Sequence, residues 1–149
     1  MRRVIALAAL TLAIIATFGT PPAQATSRIV LHEIYYNSPG SDTGSNSSLN
    51  AEWVQLHNRV GYRISLSGWT LRDTAGHVYK FGTYSLKGYG YVKIHTGKGT
   101  NTQTDRYWGR SWYVWNNTGD RATLKNASGS VIDRCSYDDP SESHSYKIC

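Results

Sequence analysis

The chain has 149 residues, 40% of them hydrophobic, with a formal net charge of +6. That length fits one domain able to bury a single core without metals or a dense disulfide network. The charge falls to +4 once Arg2 and Arg3 are set aside as part of a leader, an excess that permits weak attraction to nucleic acid, teichoic acid-like polymers or anionic lipid but is more commonly explained by a solvated basic surface.

Arg2-Arg3 is a basic start, Val4 to Phe18 an apolar run, and Ala23-Gln24-Ala25 an Ala-x-Ala cleavage site, which together read as a secretory signal peptide over residues 1–25. The run of about 15 residues is short for a membrane span. The flanks of the two arginines add little to a twin-arginine signal, so the general export route is expected. The expected product is secreted and extracellular, with no transmembrane segment, and residues 26–149 form one domain with a C-terminal tail.

Ile29 to Tyr36 reads as the first strand, with Ile29, Leu31 and Glu33 on one side and Val30, His32 and Ile34 on the other; the pattern does not say which side is inside. Asn37 to Asn50 is mostly Ser, Asn, Gly and Asp and reads as a mobile surface loop. Glu52-Trp53-Val54-Gln55-Leu56-His57-Asn58 and Ser67-Gly68-Trp69-Thr70-Leu71-Arg72-Asp73 alternate as two strands across a turn containing Gly61, with Val54, Leu56, Trp69 and Leu71 as core candidates. Trp69 follows Gly68, where bulk is removed, and reads as a core anchor.

After the turn Thr74-Ala75-Gly76, alternation returns in His77 to Phe81 and again in Tyr91 to His95, where Val92 and Ile94 point inward and Lys93 and His95 outward. Thr96 to Arg106 is a second polar loop. Then come the aromatic segment Tyr107 to Trp115, the turn Asn116 to Asp120, a strand Ala122 to Lys125 with Leu124 inward, the turn Asn126 to Gly129, and a strand Val131 to Cys135. Turn signals recur about every 8 to 12 residues and no segment of ten or more residues keeps a helical period, so the reading is all-β, as a sandwich or barrel. Cys135 and Cys149 are expected to pair in an exported chain, at about 3 kcal/mol, holding the tail against the last strand.

Five blocks together resemble the lamin-tail domain: Ile29 to Ile34, Glu52 to Asn58, Leu66 to Asp73, Asn116 to Leu124, and Gly129 to Asp133. The resemblance implies an immunoglobulin-like β-sandwich over nearly the whole mature chain and brings no catalytic residues with it. It also implies an accessory or targeting role, since in bacteria such domains stand alone behind a signal peptide or are attached to secreted nucleases, phosphoesterases and other hydrolases. Where family members often carry an acid between the two inward positions of the second block, this chain has Gln55.

The five histidines, at 32, 57, 77, 95 and 144, show no metal-ligand spacing, and His32-Glu33 begins a His-Glu-x-x-His motif that does not continue. No Gly-x-Ser-x-Gly elbow is present. Asp138, Asp139 and Glu142 form an acidic group without the spacing of an EF-hand loop. No catalytic residue, metal or cofactor is therefore expected. The candidate binding residues are Arg106, Trp108, Arg110, Trp112, Tyr113 and Trp115, because interleaved rings and cations make stacking platforms. Strict alternation cannot bury all of those rings. Two functions are compatible with this: a non-catalytic module contacting protein or a cell-envelope polymer, or an accessory nucleic-acid-binding domain.

Overall fold

The computed structural model describes residues 27–149; the expected signal peptide lies outside them. Alternation governs the central strand β2 (Trp53–Asn58), which buries Val54, Leu56 and Asn58 and leaves Trp53, Gln55 and His57 half-buried. Its neighbours β1 (Ile29–Tyr35) and β7 (Tyr91–His95) run antiparallel to it, so the register stacks Leu31, Leu56 and Val92 in one inward row and Ile34, Val54 and Ile94 in the next.

The two faces of β1 look alike in sequence because the strand changes phase. A bulge between Leu31 and Glu33 adds one residue and re-aims the remainder of the strand. Ile29, Leu31 and Ile34 consequently all reach the core, and Glu33 and Tyr35 lie outward, in register with Gln55 and Trp53.

The short strands are β3 (Ile64–Ser65), β4 (Thr70–Arg72), β5 (Val78–Lys80), β6 (Ser85–Leu86) and β8 (Asp105–Tyr107); the long strands β9 (Gly119–Lys125) and β10 (Val131–Asp138) and the terminal β11 (Tyr146–Ile148) complete the set. One sheet has the order β11-β1-β2-β7-β8, with β8 parallel to β7; the other has the order β10-β9-β4-β5; β3 and β6 pair separately. The two large sheets close on a core that includes Leu71, Phe81, Trp115, Leu124 and the inward rows above. This is the all-β, immunoglobulin-like sandwich that the resemblance implies.

Val54, Leu56, Leu71, Val92, Ile94 and Leu124 are fully buried. Trp69 is not: it is half-buried and packs on the core from its rim, beside Ile64 and Ile132. Gly68 before it is required by its backbone, which sits at a φ of 78°, a region that only glycine enters freely.

Three further features differ from the sequence reading. The stretch expected to be a mobile loop contains a helix, α1 (Asn46–Ala51), capped by the Ser45 hydroxyl accepting from the N–H of Ser48 and anchored by buried Leu49. The second polar loop ends in β8. The C-terminal tail forms β11, which pairs with β1 through Glu33–Ile148 and Tyr35–Tyr146 rather than lying along the last strand. The Cys135–Cys149 disulfide thus joins β10 of one sheet to the end of β11 in the other, and ties the two layers together at one edge.

Both ends of β2 carry a fully buried polar residue, Glu52 and Asn58. The Asn58 amide donates to the carbonyls of Tyr62, Leu86 and Lys87, and its oxygen accepts from the N–H of Val60. One side chain therefore satisfies the backbone of two loops. Among the described residues, no helix is long and apolar enough to cross a membrane.

Replacing Cys135 and Cys149 by serine is expected to lower the unfolding free energy by about 3 kcal/mol, since the bridge closes a short loop of the unfolded chain. A denaturant midpoint identical to that of the oxidised protein would show that the hydrogen bonds of β11 suffice to hold it.

Candidate functional site

The segment from Arg106 to Trp115 does not alternate as a strand beyond Tyr107, and its six candidate residues part company. Arg106 is in register with inward-facing Ile94, and its guanidinium lies 3.9 Å from the centre of the Tyr84 ring. Trp108 is half-buried, edge-on to Trp115 at 6.2 Å and near Tyr79 at 5.8 Å. Val114 and Trp115 are consecutive yet both buried, the latter 2% exposed, in a stretch that forms no strand and bends at Trp115. Arg110 is half-buried, its backbone N–H donating to Thr96. With Trp115 buried and Trp108 packed against it on the core, these residues form no exposed stacking platform.

Trp112 and Tyr113 remain together. Tyr113 is fixed through its hydroxyl, which pairs with that of Ser48 on α1 and accepts from the N–H of Gly44. Trp112 is 59% exposed and lies against Gly44, where a Cβ would come within 2.6 Å of the indole. The ring borders an open cleft of about 290 Å³, whose walls include Asp42, Asn116, Asn117, Thr118 and Glu142. Buried Asp120 holds the Asn116 end, accepting from the backbone and side-chain N–H groups of Asn116 and from Thr74.

Glu52 holds the other end. Its carboxylate accepts from the Thr96 hydroxyl and from the backbone N–H of Val114 at 2.9 Å. Burial raises its pKa to about 7, against the opposing effect of those donors and of the N–H of Trp115. A carboxyl poised at neutral pH is a candidate acid or base. This one has no accessible surface and spends its oxygen on the protein's own chain, so its role is to fix the 113–115 segment over the sandwich end.

Other titratable groups are similarly engaged. The Asp139 carboxyl is held well below the usual range, first by the N–H of His144 and further by Ser143 and the Tyr36 hydroxyl. Asp138, Asp139 and Glu142 form no metal-ligand group; among the described residues there is none. His95 lies between the Asn50 carbonyl and Asp105, whose carboxyl it holds low. His57 is held below its ordinary value by burial, then by His32 and Arg59.

A second aromatic feature escapes the sequence reading. The outward residues Tyr146, Tyr35, Trp53, His95 and Tyr107 occupy one register row across all five strands of the larger sheet, roughly 19 Å long at the usual strand spacing. Tyr35 stacks on Trp53 at 5.4 Å and on Tyr146 at 6.2 Å, His95 stacks on Tyr107 at 5.0 Å, and the Lys93 ammonium sits 3.6 Å from the Trp53 ring centre. Most ring faces in the row are thus covered by one another. Alternation places each ring outward, but only the strand register reveals that they form a row.

The family model described as Lamin Tail Domain matches residues 22–139, a span that ends before β11 and Cys149. None of the curated proteins matches the chain.

The raised pKa of Glu52 has a definite sign. Its folded value, about 7, exceeds the 4.5 of an unperturbed glutamate, so its contribution to stability is full below the unfolded value and is lost as pH rises through the folded one. Relative to Glu52→Gln, which cannot ionise, the wild type should lose about 3 kcal/mol of unfolding free energy between roughly pH 4.5 and pH 8. A constant difference across that range, read from denaturant titrations, would show that the carboxyl is ionised throughout.

Proposed function

The chain belongs to the lamin tail domain family, and we infer that it acts as an exported, non-catalytic binding module that holds a hydroxyl-rich polymer of the cell envelope in the Trp112 cleft. Export is supported by the leader-like residues 1–25 and by a disulfide, a bond that persists in oxidising compartments. The non-catalytic reading is supported by how Asp120 and Asp139 spend their carboxylates on the protein's own donors and by the complete burial of Glu52.

The observation that carries the ligand class is the composition of the cleft. An indole more than half exposed stands beside two carboxylates and two amides, Asp42, Glu142, Asn116 and Asn117. An apolar ring with a few placed polar groups is how such sites fix orientation. The C–H face of a sugar suits the indole, and its hydroxyls donate to carboxylates and exchange hydrogen bonds with amides. The same carboxylates repel phosphate at this position.

A protein partner is the second reading, favoured by Tyr146 and Ile148. Both are more than half exposed on edge strand β11, at the end of the aromatic row.

Sedimentation with purified envelope polysaccharide tests the first. Trp112→Ala should weaken retention about tenfold or more, if stacking on the indole has the strength typical of ring–ring contacts, with the melting temperature nearly unchanged because the residue is exposed. Equal retention by the variant would overturn the cleft assignment, and loss on Tyr146→Ala instead would favour the edge of β11.

A further inference from the structure

The Trp112 cleft is an acidic corner of a basic chain. Its walls include Asp42 and Glu142 and, among the described residues, no lysine, arginine or histidine. Neither carboxylate has an ion-pair partner there: the pairs among the described residues join His77 to Asp73, His95 to Asp105 and His144 to Asp139. Neighbouring acids are spent on protein donors, Asp120 on Asn116 and Thr74, and Asp139 on the N–H groups of Ser143 and His144. Asp42 and Glu142 are exposed instead.

Buried groups of this end of the sandwich sense the same field. Burial is the first cause of the raised Glu52 pKa, and the charge of Asp42 is a further one. The Tyr137 phenol, whose hydroxyl donates to the Asn116 carbonyl, is pushed up by burial first and then by Asp120 and Glu52. The indole beside these acids is fixed in place. Gly44, at a φ of 68°, leaves the ring space that a Cβ would take, and Tyr113 meets the ring edge-on at 5.5 Å.

We propose that the sugar seated in this cleft is an amino sugar with a free ammonium, held by the indole of Trp112 and the carboxylates of Asp42 and Glu142. The inference rests on the reading of the cleft as a polymer site and specifies its ligand. A neutral hydroxyl donates once and leaves both carboxylate charges standing, whereas an ammonium brings three donors, no acceptor and a compensating charge. Tryptophan is the ring that attracts a cation most strongly. Asn116 and Asn117 offer donors and acceptors to the hydroxyls of the same sugar, which a bare alkyl amine lacks. N-acetylation removes the charge and both attractions with it. Because the chain is basic overall, its net charge repels a cationic polymer, so attraction has to come from a local site.

Calorimetric titration of the mature chain tests this with a glucosamine hexamer, its fully N-acetylated form, a glucose hexamer of the same linkage and hexalysine, at about pH 6, below the ordinary range of amines. The glucosamine hexamer should bind about tenfold tighter than the acetylated one, the combined effect of one cation–π contact and pairing with exposed carboxylates. The double variant Asp42→Asn, Glu142→Gln should cut that preference to about twofold and leave the affinity for the neutral hexamers within about twofold of wild type. Both residues are exposed, so its melting temperature should stay near the wild-type value. Trp112→Ala should weaken binding of all three sugars. An acetylated hexamer that binds as tightly as the free amine overturns the inference while the polymer site stands, and so does a double variant that keeps the full preference. Hexalysine binding as tightly as the glucosamine hexamer overturns it in favour of a basic peptide. Absence of binding by all three sugars overturns the polymer site itself, and this inference with it.

Discussion

The hydrogen bonds made by the two buried polar ends of β2 are the constraint on which the rest of the molecule hangs. Val54 and Leu56 place this strand at the centre of the core, and hydrophobic burial is indifferent to where the loops beyond it go. Glu52 and Asn58 supply the direction that burial lacks. A buried backbone group left without a partner costs as much as a lost hydrogen bond or more. Loops 60–62 and 86–90 therefore converge on Asn58, and segments 96 and 113–115 converge on Glu52. The cleft beside Trp112 exists because one of these two side chains fixes its floor.

The polar positions also divide the molecule's surface chemistry. The outer face of the larger sheet carries a row of stacked rings, the outer face of the smaller sheet carries Arg72, Arg121, Arg134, Lys80 and Lys125, none with a carboxylate partner among the described residues, and the cleft at the end carries acids and amides. A single net charge describes none of these. The modest excess of basic residues hides a sheet face where positive charge is concentrated, because acids elsewhere are used to pin backbone.

How much of this was legible in the sequence depends on whether the determining interaction is local. Alternation sufficed for β2, β7 and β9, where each inward residue is buried by the pleat. It failed at β1, because a bulge after Leu31 changes the phase and leaves apolar residues on both apparent faces. It failed again at Trp112 to Trp115, where a carboxylate some 60 residues earlier in the chain holds the backbone out of strand geometry. The six residues of α1 are too few to show a period, and β11, exposed at every position, is specified only by pairing with a strand at the other end of the chain. The row of rings needed a register that no single strand carries.

The bond from Cys135 to Cys149 has a consequence for self-association. β11 covers the hydrogen-bonding edge of β1, and an uncovered edge is a template for another chain. Three exposed residues make a weak cover, and the covalent clasp to β10 keeps it in place. Without that bond, only the hydrogen bonds to β1 hold the cover against the margin of the largest sheet. The cysteine pair is thus the only covalent tie between the strand that covers β1 and the opposite sheet among the described residues.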